Sequence, residues 1–270
     1  MSKEKRVVTT VARWALPRSL EHRRDLLREL VVRDMKLRYK RSYLGIAWTL
    51  VNPLAQLLVY SFVFRVLFRV TTPNYTPYIF IGITCWGWFQ AAVLESTMAI
   101  LANRDLIRQP GFPAALLPNV TVGTQLVHFL LTLPVLFGLV LVSGIPITRA
   151  VVWLPFIILV QYVLTLSFSL LAACVHVNFR DTQYLLGVFL MLAFFLTPIL
   201  YDTSIVPERY RALYQLNPMA YLIDAYRAVL IRGVRPHLAA LAVVGVVGVV
   251  QLRLFYLLFR RASTSFVEEF

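Results

Sequence analysis

Apolar residues along this chain fall into six long runs that are separated by more polar segments. A helix that crosses the roughly 30 Å hydrocarbon layer of a membrane needs about 20 residues, because each residue adds about 1.5 Å. The pattern therefore predicts an all-α polytopic membrane protein with six transmembrane helices. The predicted spans are Leu44–Phe68, Ile79–Leu101, Val120–Val142, Val151–Val177, Tyr184–Leu200 and Leu238–Phe259.

The segment before the first span predicts an amphipathic helix between Leu20 and Arg41. Apolar residues recur there at helical spacing and basic residues occupy the rest of the wheel, which is typical of a helix in the membrane interface. The apolar positions are Leu26, Leu27, Leu30, Val31 and Met35. This helix either anchors the chain to the membrane or also frames a docking surface for a soluble partner.

The connection between the fifth and sixth spans, residues 201–236, is too long for a simple turn and contains helix signals. Asn217 is suited to cap a helix, Pro218 to begin it and Gly233 to end it. About 14 residues cannot cross a bilayer. We therefore expect a re-entrant or surface-lying helix at the outer mouth, where protein or a water-filled cavity surrounds its ends.

Composition supports a membrane protein: 59% of the residues are hydrophobic, 15% are charged and the mean hydropathy is +0.70. The net charge is +14, and 13 of the 27 Lys and Arg residues lie in residues 1–43. This concentration beside the first span points to membrane orientation and an anionic inner leaflet, so no nucleic-acid partner is needed to explain it.

The distribution of basic residues predicts that both termini are cytoplasmic. With the N-terminus inside, the inner segments hold 18 Lys and Arg residues and the outer segments hold seven. Residues 1–43 are then a cytoplasmic N-terminal segment, 44–259 a transmembrane domain and 260–270 a cytoplasmic tail. Residues 1–19 lack the continuous apolar core of a cleavable signal peptide, so the N-terminus is expected to stay attached.

The sequence contains no phosphate-binding loop of the form G-x-x-x-x-G-K-[ST]. Gly82 and Gly87 have the glycine spacing, but Trp88 stands where the lysine would be and the segment lies inside an apolar span. If ATP drives this protein, the ATPase is another chain. The histidines and cysteines also lack the spacing of a metal site, and no grouping of catalytic residues is evident.

Glu95 is the clearest ionisable residue inside a predicted span, and such residues are the first place to look for function. A proton relay needs several acidic groups, whereas His128 is the only other candidate. We expect instead that Glu95 forms hydrogen bonds with Ser96, Thr97 or a neighbouring helix.

Aromatic residues cluster in the first and fifth spans and leave two interpretations open. They belong either to interfacial belts and ordinary packing or to a conduit wall along which sugar rings slide. Pro53 and Pro198 are expected to bend these two spans. The aromatic residues are Trp48, Tyr60, Phe62 and Phe64 in the first span and Tyr184, Phe189, Phe194, Phe195 and Tyr201 in the fifth.

Three groups of motifs occur in order over nearly the whole chain, and together they resemble the permease subunits of type-2 ABC exporters of polysaccharides such as O-antigen, capsule and teichoic acid. The first group is Arg33–Trp48. The second is Asn103–Ile107 with Phe112-Pro113 and Leu117-Pro118. The third is Asn178–Asp181, then Thr197–Tyr201, Val206-Pro207 and Leu216–Met219.

The resemblance implies a homodimer of six-span subunits in a bacterial inner membrane, paired with two copies of a cognate ABC ATPase subunit. ATP and Mg would bind to that partner, and this chain would hold no cofactor and catalyse no reaction itself. The cargo would be a lipid-linked polysaccharide that passes through a pore at the dimer seam, walled by spans 1 and 5.

The resemblance also assigns roles to residues. A cytoplasmic coupling helix within 102–118 would contact the ATPase, although Gln109-Pro110-Gly111 interrupts it. The coupling residues would be Asn103, Arg104, Asp105, Leu106, Ile107 and Arg108. The channel lining would be Trp48, Tyr60, Phe62, Phe64, Phe189, Phe194, Phe195 and Tyr201. The outer gate would be Pro207, Asn217, Pro218, Met219 and Tyr226.

Three alternatives stay open on the sequence alone. A type-2 exporter of another amphiphile, a drug or a lipid, shares the six-span plan. A secondary transporter would move its substrate without a partner and predicts further intramembrane charges. A membrane enzyme that acts on a lipid-linked sugar predicts clustered catalytic acids on one loop.

Overall fold

The structure is a computed structural model that describes residues 20–40, 42–67, 74–109, 111–203 and 206–263. The elements in these ranges are helical, as predicted. Five helices there are long and apolar enough to cross a membrane. They are Gly45–Leu67, Tyr75–Met98, Leu116–Val142, Arg149–Asn178 and Leu238–Ala262.

The predicted amphipathic helix is present as α1, Leu20–Arg38. Its Leu30 is buried against Leu116 and Val120 of a later span. The apolar stripe of α1 therefore packs on protein as well as being suited to a membrane surface. Its position at the membrane interface stays a prediction.

The first span begins with a 3₁₀ turn at Gly45–Ala47, forms helix α2 at Trp48–Ser61 and ends as a π-helical stretch at Phe62–Leu67. Pro53 lies inside α2. Only 6% of the residues in the most apolar stretch of this span are buried, compared with 72% in the second span. The first span therefore lies at the edge of the helix bundle and presents most of its surface outward.

The second span, α3, Tyr75–Met98, is the centre of the bundle. It packs against the first, third and fourth spans and against the shorter helices that follow them. Gly82 allows a close approach, because a Cβ atom at this position would lie 2.9 Å from Ile199 Cγ2 and 3.2 Å from the Ile199 carbonyl oxygen. Nearly the whole circumference of α3 is therefore protein-covered.

A four-residue helix, α4, Arg104–Ile107, follows α3 after a 3₁₀ turn at Leu101–Asn103. The third span, α5, then begins at Leu116 and ends at Val142. The region 102–118 is thus not one continuous coupling helix. Gly111 has a φ of +79° and Pro113 follows closely, so the backbone leaves the helical conformation between α4 and α5.

The fourth and sixth spans pack side by side. The fourth consists of a 3₁₀ turn at Arg149–Trp153 and helix α6, Leu154–Asn178. The sixth is α10, Leu238–Ala262, whose Gly248 lies against the backbone of Leu164. These two long helices complete the bundle on the side away from α2.

The predicted fifth span, Tyr184–Leu200, is shorter than expected. Its helix, α7, is Thr182–Leu196 and contains 15 residues, which at about 1.5 Å per residue is roughly 22 Å. Pro198 was predicted to bend this helix, but it lies just after the end of the helix. Thr197 is extended because the helical conformation is disfavoured for a residue before a proline. Six complete crossings therefore stay a prediction.

Two short helices, α8 at Glu208–Gln215 and α9 at Pro218–Leu230, occupy the connection between α7 and α10. The predicted cap is confirmed, because the side chain of Asn217 accepts a hydrogen bond of 3.0 Å from the Met219 backbone nitrogen. Pro218 begins α9 as expected, and Gly233 follows its end with a φ of +65°. The place of these helices at an outer mouth stays a prediction.

Replacing Gly82 by Ala tests the close approach of α3 to the turn after α7. We expect the free energy of unfolding to fall by about 1–3 kcal/mol, because the new methyl group overlaps Ile199 and the turn must shift. Thermal unfolding of the purified protein in detergent measures the change. Gly87→Ala is the matched control, since a Cβ atom there meets no described residue within 4 Å. Equal unfolding temperatures for the two variants would contradict the packing described.

Candidate functional site

The predicted coupling residues form one turn with a buried side and a charged side. Ile107 is buried, and Arg104, Asp105 and Arg108 are exposed. The apolar cluster around Ile107 joins the ends of α3, α5, α6 and α10, and it contains Ala99, Ile100, Leu117, Leu170, Ala173, Val177 and Phe259. The turn is therefore anchored to four long helices while its charged side chains face outward. This geometry is suited to passing a movement of a docked partner on to the helices.

The N-terminal helix contacts the same turn. Arg33 Nη2 of α1 donates a hydrogen bond of 3.0 Å to Asn103 Oδ1, and Asn103 Nδ2 donates one of 2.9 Å to the Ala99 carbonyl oxygen. One amide side chain thus links α1 to the end of α3. The structure brings together the two segments that the sequence assigned to one docking surface.

Glu95 of α3 forms an ion pair with Arg38 at the end of α1. The contact is bidentate: Arg38 Nη1 donates to Glu95 Oε1 at 2.9 Å and Nη2 donates to Oε2 at 2.6 Å. The hydrogen bond to Glu95 raises the pKa of Arg38 above its ordinary value. A partner on a neighbouring helix was expected for Glu95, and this is confirmed. Ser96 and Thr97 instead donate to backbone carbonyl oxygens of α3.

A chain of polar side chains extends from this ion pair. Gln125 Nε2 of α5 donates to Glu95 Oε2 at 2.7 Å, and Gln125 Oε1 lies 3.2 Å from His128 Nδ1. His128 Nε2 lies 3.0 Å from the hydroxyl of Tyr39, which in turn lies 2.7 Å from Thr49 Oγ1. The network joins α1, α2, α3 and α5. Sequence reasoning missed Arg38, Tyr39 and Gln125, although Gln125 precedes His128 by three residues in one span.

The predicted channel aromatics divide into packed and exposed groups. Tyr60 of α2 stacks on Phe194 of α7, with ring centroids 6.0 Å apart, so the structure brings the first and fifth predicted spans together. Phe64 packs near Tyr75. Phe195 is 58% exposed and faces outward from α7. Phe62 and Phe189 are likewise exposed, so these three side chains are available to a cargo, a lipid or a second copy of the chain.

Trp48 does not join the other predicted lining residues. It lies at the beginning of α2 and lines a cavity together with Arg38 and Glu95, whereas none of the other predicted lining residues lines that cavity. The predicted channel wall therefore does not run along α2 as one continuous aromatic surface.

An apolar groove of about 1050 Å³ joins residues that were predicted separately as channel and gate. Phe189 and Tyr201 line it together with Pro207 and the Asn217–Met219 segment. Its walls come from α3, α6, α7 and the segment that leads into α9. The hydroxyl of Tyr201 donates to the Phe195 carbonyl oxygen at 2.9 Å, which holds this lining residue against the end of α7.

Tyr226 is a core residue rather than part of an accessible gate. Its side chain is fully buried, and its ring lies 5.9 Å from that of Phe129 in an edge-to-face arrangement. The apolar face of α9 that predicted a surface-lying helix is thus the face that packs into the bundle. The other four predicted gate residues line the apolar groove.

Arg227 was counted as an outer-loop cation, but the structure places it inside the protein with 4% exposure. Its Nη1 donates to the Pro198 carbonyl oxygen at 2.7 Å and its Nη2 to the Ile199 carbonyl oxygen at 2.8 Å. Its guanidinium carbon lies 3.4 Å from the centre of the Tyr78 ring. One side chain therefore holds the turn after α7 against both α9 and α3.

Comparison with known proteins identifies relatives over most of this chain. The sequence model of the ABC-2 type transporter family matches residues 25–231. An O-antigen export system permease protein from Myxococcus xanthus is 37% identical over 255 residues, which cover 94% of this chain and 98% of that protein.

More distant relatives have related descriptions. An O-antigen export system permease protein from Klebsiella pneumoniae is 33% identical and covers 78% of this chain and 82% of its own length. A polysialic acid transport protein from Escherichia coli is 22% identical and covers 76% of this chain and 80% of its own length. The resemblance inferred from the motifs is confirmed.

Replacing Arg227 by Lys tests the clamp between α9 and the turn after α7. A lysine keeps the charge but loses the planar fork that reaches two carbonyl oxygens, so we expect the free energy of unfolding to fall by roughly 2–3 kcal/mol. Arg232→Lys is the control, because Arg232 is exposed and paired with Asp224 at 2.9 Å, where the loss should be below about 1 kcal/mol. Thermal unfolding of both purified variants measures the two losses. Equal losses of unfolding free energy would contradict the role of Arg227 as a clamp.

Proposed function

Since this chain belongs to the ABC-2 type transporter family, we propose that it is the membrane subunit of an ATP-driven exporter that moves a polysaccharide from the cytoplasmic side of the bacterial inner membrane to the outer side. The observation that carries the proposal is the likeness to an O-antigen permease over 98% of that protein's length. The relative from Klebsiella pneumoniae and the relative from Escherichia coli are also described as exporting or transporting a polysaccharide, which supports the same substrate class.

The cargo is a polysaccharide attached to a lipid. Such a molecule is an amphiphile, so its two ends need different surfaces within the same protein. The apolar groove between α3, α6 and α7 is suited to hydrocarbon, whereas the polar network around Glu95 is suited to hydroxyl groups. A type-2 exporter of a drug or of another lipid is the runner-up, and the descriptions of the relatives favour the polysaccharide.

Energy comes from a separate ATPase subunit, because the sequence of this chain has no phosphate-binding loop. The exposed charges of Arg104, Asp105 and Arg108 form the docking surface, and the buried Ile107 transmits the force to the spans. Helix α1 frames this surface through the contact of Arg33 with Asn103.

Two copies of this chain, paired with two copies of the ATPase subunit, form the complete exporter. The sparse burial of the first span and the exposed side of α7 support a homodimer, since these surfaces lack a covering within the described part of one subunit. In this assembly α7 and residues 197–203 complete a sixth crossing, and both termini are cytoplasmic, as the basic residues indicate.

Deletion of this chain tests the function in cells. We expect the polysaccharide to disappear from the cell surface and to accumulate on the cytoplasmic side, because synthesis continues while export stops. Immunoblotting of surface and intracellular polysaccharide measures both pools, and re-expression of the intact chain should restore the surface pool. An unchanged surface pool would contradict the proposed function.

Charge reversal at the docking surface tests the coupling assignment. In Arg104→Glu and Asp105→Lys we expect export per ATP hydrolysed to fall at least about tenfold, equivalent to about 1.4 kcal/mol, while ATP hydrolysis continues. Reconstituted vesicles allow both rates to be measured. Arg235→Glu, an exposed charge on the connection between α9 and α10, is the control and should behave like the wild type. If Arg104→Glu and Asp105→Lys export as much polysaccharide per ATP as the control and the wild type, the coupling assignment is wrong.

A further inference from the structure

A polar cleft of about 460 Å³ lies between α2, α3 and α5, closed at one end by Arg38 at the end of α1 and by Tyr39, which follows it. Its volume is within the range of about 300–1,000 Å³ that is typical of small-molecule sites. The cleft is separate from the apolar groove that contains the predicted gate residues: the two share no lining residue. Among the predicted channel and coupling residues, only Trp48 lines this cleft.

The α2 wall of the cleft carries polar groups within a membrane-spanning segment. Asn52 and Gln56 are four residues apart, so they lie on one face of α2, and both side chains are exposed. Amide groups in hydrocarbon are costly unless they find hydrogen-bond partners, so this face of α2 must meet water, protein or a polar ligand.

The α3 wall contains an indole donor without a partner. Trp88 is 3% exposed, and its Nε1 atom forms no hydrogen bond with any described residue. Trp48 contributes a second indole ring at the mouth. The cleft therefore combines amide groups that both donate and accept with aromatic rings that offer flat apolar faces.

The charges in the cleft balance each other. Both outer nitrogens of Arg38 donate to Glu95, and Gln125 contributes a further donor to the same carboxylate. A phosphate or another anionic group would bind best to a cation that is not already paired. Both terminal nitrogens of Arg38 donate to the Glu95 carboxylate, so the cleft is poorly suited to an anion. The site suits a neutral ligand that has many hydroxyl groups and a ring with an apolar face of C–H groups.

We propose that this cleft binds a sugar unit of the exported polysaccharide, with Asn52, Gln56 and the Glu95–Gln125 pair forming hydrogen bonds to its hydroxyl groups and Trp48 lying against its ring. The inference rests on the proposed function and adds to it a specific binding site within one subunit. The cleft is formed by spans of one subunit, and its α2 wall belongs to the first span, whose exposed surface is proposed to face the second copy.

The test measures binding of a carbohydrate probe to the complete transporter. The probe is a set of short oligosaccharides released by mild acid from the surface polysaccharide of the host cell. The purified complex of this chain and its ATPase subunit is placed in lipid nanodiscs, and calorimetry measures the dissociation constant. In Gln56→Leu and in Trp88→Phe we expect binding to weaken about fivefold each, and in Asn52→Leu/Gln56→Leu more than about tenfold.

Gln251→Leu is the matched control, because Gln251 lies in α10 and does not line the cleft. It should bind the oligosaccharides as tightly as the wild type. Thermal unfolding of each variant shows whether the fold is retained, and both α2 positions are exposed, so the substitutions leave the core intact.

Several results would overturn the site. These are wild-type affinity in the Asn52→Leu/Gln56→Leu variant, the absence of binding by the wild-type complex at millimolar probe, and displacement of the probe by inorganic pyrophosphate, which would indicate a phosphate site. Export by the same complex, measured in vesicles, separates this proposal from the function: if the wild type exports polysaccharide and the cleft variants bind the probe normally, only the cleft assignment fails. If the wild type exports none, the proposed function fails.

Discussion

A polar group inside hydrocarbon has no water to bind, so each one in this protein must find a partner in the protein or in a cavity. Arg38 and Glu95 satisfy each other across two helices. The two terminal nitrogens of Arg227 donate to carbonyl oxygens that the turn after α7 leaves free. Gln161, deep in α6, donates to the Cys85 carbonyl oxygen at 2.8 Å. These contacts tie the helices together at sites where apolar packing alone would permit sliding.

The same constraint distinguishes a covered framework from the helices that expose apolar surface. Helix α3 is covered nearly all round and receives three of these polar contacts, from Arg38, Gln125 and Gln161, so it forms the framework. The first span and α7 lie outside this framework and expose apolar surface. Trp88 Nε1, which forms no hydrogen bond with any described residue, belongs to a residue that lines the polar cleft between α2, α3 and α5. A cargo with a sugar part and a lipid part meets both kinds of surface.

Local sequence signals predicted the elements that depend on local physics. Five of the six predicted spans, the cap at Asn217 and the amphipathic α1 follow from periodicity and capping chemistry, and these are present in the described residues. The end of α7 was predicted too late, because hydrophobicity continues through residues 197–200 while Thr197-Pro198 ends the helix. The resemblance assigned Tyr226 to a gate without showing which face of its helix is covered, and the structure places this side chain in the core.

Long-range pairing was the part that sequence reasoning could not supply. Arg38 and Glu95 are 57 residues apart, and nothing local to either residue identifies the other. Arg227 likewise belonged to a connection that looked solvent-exposed, and only the fold shows its carbonyl partners. The motif groups were more informative than single residues, since they identified the family before any geometry was known.

We propose that this chain forms a passage whose energy comes from ATP hydrolysed by a separate subunit. Reconstitution tests it most directly: vesicles that contain this chain with its ATPase subunit, this chain alone, or the ATPase subunit alone are loaded with lipid-linked polysaccharide on the nucleotide side, and the transported polysaccharide is measured with and without ATP. The account predicts transport only in the first preparation and only with ATP. Transport by this chain alone, without nucleotide, would contradict it.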